Sequence, residues 1–151
     1  MTFTPRKLNL FTLFKLPAAY FTGVRTKSID AQTCVVVVKH RWINQNPFNS
    51  MFWAVQGMAA EFATGALIMM KIKASTKNIS MLVLNTKASF SKKAKGRISF
   101  SCDQGTLIDA AIEKALETGE GQRFILTASG MDQDGDIVSL FDFDWSIKLK
   151  H

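Results

Sequence analysis

The segment Met51–Met70, MFWAVQGMAAEFATGALIMM, is apolar or small at nearly every position, yet it carries one carboxylate, Glu61, near its centre. As a helix, such a segment rises about 30 Å, enough to cross the hydrocarbon of a bilayer. A charge at the middle of a span costs about 2.5–3.5 kcal/mol on insertion scales. Gln56 and the small residues Ala54, Gly57, Ala59, Ala60, Ala63, Gly65 and Ala66 lower its net hydrophobicity further. A helix apolar on every side is better placed inside a protein core, where small residues let neighbouring side chains come close. The rest of the chain must then supply enough structure to surround it.

The flanking sequence supplies strands. Residues 22–31 read as a modest strand and TCVVVVKHRW at 33–42 as a strong one, rich in β-branched residues. NQNPFNS interrupts: Pro47 biases Asn46 towards an extended conformation, and Asn49 or Ser50 is suited to cap a helix running to about residue 72. Strand returns at 78–90, and a hairpin through Lys92–Gly96 leads into another at 96–103. A shorter helix is expected at 105–118, capped by Thr106 or a neighbour and stopped by Gly119. Two final strands, 121–132 and 136–149, are joined at Asp134-Gly135, a hairpin dipeptide. In the last, Phe141, Phe143, Trp145, Ile147 and Leu149 alternate with Asp142, Asp144, Ser146, Lys148 and Lys150, so one face is buried and the other wet. Residues 5–20 read as an amphipathic helix packed on the domain; Lys15 and Pro17 break the apolar stretch that a secretory signal needs.

At 151 residues the expectation is a single domain over 1–151, with 1–21 as a helical extension, in the cytoplasm. The apolar share of 47% and charged share of 21% exclude a disordered chain. Cys34 and Cys102 lie far apart in apolar or alternating runs and read as reduced core thiols; with His40 and His151 they do not make a zinc site, and no metal is expected. The acidic cluster at 132–136 is not a calcium loop, because Phe143 stands where the closing glutamate is required. The formal charge of +7 draws on Arg6, Lys7 and Lys15, the run Lys87, Lys92, Lys93, Lys95 and Arg97, and Lys148 and Lys150. These cations serve either as solubilising guards at strand ends or as a site for an anionic partner such as coenzyme phosphates. No nucleic-acid-binding signature accompanies them.

Six strands suffice to curl around one long helix, an α+β arrangement known as the hot-dog fold. The loop-and-helix stretch resembles the signature of hot-dog acyl-CoA thioesterases of the phenylacetate-pathway type, and more closely an uncharacterised thioesterase-related branch of that superfamily. The matching features are Asn46 in the loop before the helix and Glu61 on it, fifteen positions later. The resemblance implies a homodimer, able to pair again into a tetramer, with sites at the subunit boundary and an acyl-CoA thioester as substrate without a further cofactor. It implies Glu61 as general base or nucleophile, Asn46 orienting substrate or water, and the N–H of Trp53 as oxyanion donor. Phe52, Gln56, Thr64, Lys92, Lys93, Lys95 and Arg97 are the expected substrate contacts, the last four as a clamp for coenzyme A phosphates. The chain departs from the family where Phe52, Trp53 and Ala54 replace His-Gly-Gly. A non-catalytic acyl- or lipid-binding module on the same fold is therefore the alternative. Read without the family, Glu61 either performs chemistry with a pKa raised by burial or bonds only a neighbouring strand or subunit.

Overall fold

The computed structural model describes residues 3–151; the first two residues of the expected 1–21 extension lie outside it. The elements follow in the order α1 (Pro5–Lys15), α2 (Pro17–Phe21), β1 (Arg25–Ile29), β2 (Cys34–Lys39), a 3-10 turn at Trp42–Asn44, α3 (Trp53–Ser75), β3 (Ile79–Phe90), β4 (Arg97–Cys102), α4 (Gly105–Thr118), β5 (Gln122–Met131) and β6 (Ile137–Leu149). The strands form one antiparallel sheet in the order β1-β2-β4-β5-β6-β3. It wraps around α3, which packs against β1, β2, β4, β5 and β6. This is the hot-dog fold.

The burial of α3 follows from its composition. From Phe62 to Ile68 every residue is buried. Cβ atoms added at Gly57 and Gly65 would lie 3.5 Å from the rings of Phe141 and Trp145, so these glycines set how near the β6 aromatics come. Those aromatics belong to the alternating face of β6, and Phe141, Phe143, Trp145 and Ile147 are all buried as the period-two pattern requires. The β5–β6 turn forms at Asp134-Gly135, with Gly135 at φ +85° and the Asp132 carboxylate accepting from the amides of Asp134 and Asp136.

Several local expectations need correction. The helix expected over 5–20 is two helices, because Leu16 leaves helical geometry (φ −134°, ψ 59°) ahead of Pro17, which begins α2. Neither Asn49 nor Ser50 caps α3. Asn49 is held in the turn at φ +57°, Ser50 bonds Asn46, and the N-cap is Phe52, with no side-chain acceptor. Thr106 is no cap either: the N-cap of α4 is Gln104, while the Thr106 amide and hydroxyl both donate to Gln32 Oε1. The expected hairpin through Lys92–Gly96 does not pair β3 with β4. β3 pairs with β6, and β4 lies between β2 and β5. The linking segment is held instead by other parts of the chain: Ser91 N donates to Val138 O, Met51 N to Ala94 O, and His40 N to Gly96 O.

Cys34 and Cys102, far apart in sequence, are direct register partners across β2 and β4. Both are free thiols and buried, and burial pushes them up to about 12 and about 11. No helix among the described residues is long and apolar enough to cross a membrane.

Candidate active site

Glu61 lies two turns beyond the start of α3, at the rim of an apolar groove of about 660 Å³ between α3, the α1–α2 pair and the first half of β3. Met58, Phe62 and Met69 line it from α3, Phe11 and Pro17 from the N-terminal helices, and Met81, Leu82 and Val83 from β3. Glu61 as a residue is exposed at this rim, and no side chain among the described residues is hydrogen-bonded or ion-paired to its carboxylate. The apolar surroundings raise its pKa above the ordinary carboxylate value, with desolvation as the cause. An unpartnered carboxylate of raised pKa is a stronger base than an ordinary one.

A second groove, of about 520 Å³, opens at the N-terminus of the same helix. Asn46, Phe52, Trp53, Gln56, Lys92 and Lys93 line it together with Phe90 from the far end of β3. The amides of Trp53 and Ala54 have no acceptor among the described residues, and Phe52 offers no side-chain cap. Two bare N–H groups therefore stand at the positive end of a 23-residue helix, and Trp53, which carries the first, lines this groove. The rings of Phe52 and Trp53 meet edge to face at 6.2 Å beside it and are 45% and 58% exposed.

Asn46 closes its own turn. Its side-chain oxygen accepts from the amides of Phe48 (2.9 Å) and Ser50 (3.2 Å), and its amide group donates to Ser50 Oγ at 2.9 Å. This bonding fixes the loop that aims the start of α3. Gln56 is buried, donating to Met51 O at 3.4 Å and accepting from Ser139 Oγ at 2.8 Å. Thr64 is fully buried, donating to Glu61 O at 2.8 Å and accepting from the Trp145 indole N–H at 3.0 Å. Both are occupied in joining α3 to β6. Lys92 is held by the β5–β6 turn, 2.7 Å from both Asp132 and Asp136 and 3.8 Å from Asp134. Those carboxylates raise its pKa, and Lys92 in turn lowers that of Asp132. The triad of aspartates thus already has a cation. Lys93 is exposed at the helix-start groove, Lys95 is exposed outside both grooves, and Arg97 belongs to a third groove, described below.

Within one chain Glu61 and the bare Trp53 amide are eight residues apart on one helix, a separation of about 12 Å along its axis. A single thioester carbonyl does not reach both. The two grooves share β3, however: its start lines the Glu61 groove and its end the Trp53 groove.

The family model described as a domain of unknown function, DUF4442, matches residues 7–147. No curated protein matches in sequence. Among solved structures, the chain is similar to a protein of unknown function from Chlorobaculum tepidum (TM-score 0.82, 20% identity, 98% of each chain covered). It is also similar to a Pseudomonas aeruginosa protein described as a probable thioesterase (TM-score 0.82, 19% identity, 97% of each chain). A thioesterase from Haemophilus influenzae aligns at TM-score 0.71 and 11% identity, over 99% of this chain and 93% of that one.

Proposed function

The chain belongs to the DUF4442 family, and from that premise we propose that it is an acyl-CoA thioesterase working as a homodimer with composite sites. The observation that carries this reading is a pair of unpartnered groups with opposite roles, the Glu61 carboxylate and the amides at the start of α3. β3 supports the dimer. It is a twelve-residue edge strand whose residues from Asn85 onwards are all exposed, with Leu82, Leu84 and Phe90 bare. A strand edge this long is a template for pairing with a second copy. Antiparallel β3–β3 pairing sets the Phe90 end of one copy beside the Met81 end of the other. The Trp53 groove of one copy then adjoins the Glu61 groove of its mate, which removes the 12 Å problem.

In such a site the apolar Glu61 groove takes the acyl chain, and the Trp53 N–H of the other copy donates to the thioester oxygen. Glu61 takes a proton from a water whose oxygen attacks the carbonyl carbon. Collapse of the tetrahedral intermediate breaks the C–S bond, and the proton on Glu61 passes to the departing sulfur, giving acid and free thiol. Direct attack by the carboxylate, followed by hydrolysis of the anhydride, balances equally and uses the same residue. Asn46 contributes by holding the loop that positions the amide.

Free-thiol release on a panel of short, medium and aromatic acyl-CoAs tests the reading. Wild type is expected to turn over at least one, and Glu61→Gln to lose at least about a hundredfold in kcat. Trp53→Pro removes the amide donor at a helix position where proline fits. Mixed with Glu61→Gln after unfolding and refolding, it should restore about a quarter of wild-type activity, because each mixed dimer keeps one intact site. Full activity of Glu61→Gln, or no recovery on mixing active-length dimers, refutes the composite site. The half-exposed rings of Phe52 and Trp53 at the helix start favour a second reading, a non-catalytic acyl-binding module; saturable acyl-CoA binding without thiol release on any substrate would establish it instead.

A further inference from the structure

Arg25, Lys39 and Arg41 meet Arg97 around a groove of about 420 Å³ floored by Val37 and Val38. The register explains the gathering. Lys39 is paired with Arg97 across β2 and β4, and Arg25 with Val37 across β1 and β2. Their neighbours Val36, Val38, Ile98 and Phe100 point into the core, so Arg25, Lys39 and Arg97 leave the sheet on the face away from α3.

Two of the four cations are held in place. Arg25 Nη1 donates to Tyr20 O at 2.6 Å and Val24 O at 2.9 Å, and its guanidinium lies 3.6 Å from the centre of the Tyr20 ring. Arg41 runs over Gly23, where a Cβ would come within 2.7 Å of Nη2; Gly23, at φ +103°, makes that space. None of the four is ion-paired with a carboxylate among the described residues, whereas Lys71, Lys92 and Arg123 each are. Four gathered, unneutralised cations repel one another, and an anion relieves that repulsion. Guanidinium groups offer paired N–H donors that fit phosphate oxygens.

We propose that this groove binds the phosphate groups of a small ligand carrying two or more of them. Of the expected Lys92, Lys93, Lys95 and Arg97 clamp, whose leading lysine is already neutralised, it keeps only Arg97 and moves the anion site to the outer face of the sheet. Position supports it. Ala94 lines the helix-start groove and Arg97 the basic one, so at most about 10 Å of extended chain separates them. The binding does not depend on the hydrolytic reading, because it is measured without turnover. A coenzyme thioester and a free nucleoside diphosphate share the chemistry that the groove recognises.

Titration calorimetry of the whole protein with inorganic pyrophosphate, ADP and coenzyme A, at about 50 mM and about 200 mM salt, tests the proposal. Wild type is expected to bind pyrophosphate, more weakly at the higher salt. The pair Arg41→Gln/Arg97→Gln should weaken every bound probe at least tenfold. The pair Lys114→Gln/Lys148→Gln, which changes net charge equally at exposed sites elsewhere, should leave binding unchanged. If the first pair fails to fold, Lys39→Gln and Arg97→Gln are measured singly, each at least threefold weaker. Tighter binding of coenzyme A than of ADP identifies the coenzyme as the source of the phosphates; equal binding identifies a nucleotide. Glu61→Gln retains the binding whatever its turnover, so loss of the hydrolytic reading and loss of this one are told apart. No binding of any probe by wild type, or equal loss in both pairs, overturns the proposal.

Discussion

Two buried threonines invite the same substitution with opposite expected results. Thr64, on α3, is fully buried and accepts the Trp145 indole N–H at 3.0 Å while donating to Glu61 O. Thr26, on β1, is 4% exposed and its hydroxyl has no partner among the described residues. Valine matches threonine in shape but removes the hydroxyl. At 64 it leaves a buried indole donor unsatisfied, which costs about 1–3 kcal/mol. Valine and threonine have nearly equal helix propensity, so the lost hydroxyl sets the sign. At 26 valine removes an oxygen that is already unsatisfied, in a strand where β-branched residues fit, so the expected change is a gain of about 0.5–1 kcal/mol. For a chain of this length each kcal/mol moves the melting midpoint by about 2–4 °C. Thr64→Val should therefore melt about 2–12 °C lower and Thr26→Val about 1–4 °C higher. Differential scanning calorimetry under identical buffer, together with indole fluorescence at Trp145, checks both. The same variant tells apart two roles for Thr64. If the residue joins α3 to β6, KM for any thioester substrate is unchanged in the folded fraction of Thr64→Val. An unaltered midpoint with a raised KM would refute the structural account and return Thr64 to the substrate.

Other perturbations have equally definite signs. Gly65→Ala should be tolerated and gain about 0.5–1 kcal/mol from helix propensity, since its new Cβ meets Trp145 at an ordinary 3.5 Å. Gly105→Ala would place a Cβ against the Ala31 carbonyl oxygen and 2.7 Å from Gln32 Cα, both backbone atoms, and should lose about 2 kcal/mol or more in a chemical denaturation series. With their thiols raised to about 12 and about 11, Cys34 and Cys102 should not react with a disulfide reagent at pH 8 until denaturant is added, and then both should react. Glu61 binds its proton more tightly when folded, because burial raises its pKa. Its contribution to stability therefore falls as pH rises from the unfolded carboxyl value into the raised range. Glu61→Gln should gain relative to wild type as pH rises above about 4, by no more than about 1 kcal/mol for a group at the rim; a variant that loses stability over that rise would show a partner for the carboxylate.

How much of this was legible depended on whether the information was local. The core helix could be read because a segment apolar on every side has few other places to go, and β6 because its alternation runs without a break from Phe141 to Ile147. Asp134-Gly135 was legible because the turn chemistry lies within the dipeptide. The partner of β3 was not. Lysines and a glycine at 92–96 permit a hairpin, but the pairing was decided by where the segment is held, at Val138, Met51 and His40, all remote in sequence. The same holds for the cations: Arg25 and Arg97 stand far apart along the chain and meet only through the register of three strands. Cys34 and Cys102 meet in the same way.

The departure at residues 52–54 is open to a different argument. Histidine and glycine are absent there, and by side chain alone the motif is broken. The group that a thioester oxygen would use is a backbone N–H, however, and every residue except proline has one. What makes that amide useful is the absence of a competing acceptor. Here it comes from the loop: Asn49 and Ser50 are drawn into the Asn46 turn, which leaves Phe52 as an N-cap with no side chain to offer. A cap at this position would have stabilised the helix by about 1 kcal/mol. The chain forgoes that stabilisation at a helix end that opens into a groove, as it does at the start of α2, whereas α1 takes it through Thr4. Replacing Phe52 by Asp would cap the Ala54 amide and set a carboxylate beside the Trp53 amide, so it should raise the melting midpoint while suppressing any thiol release by repelling the developing oxyanion.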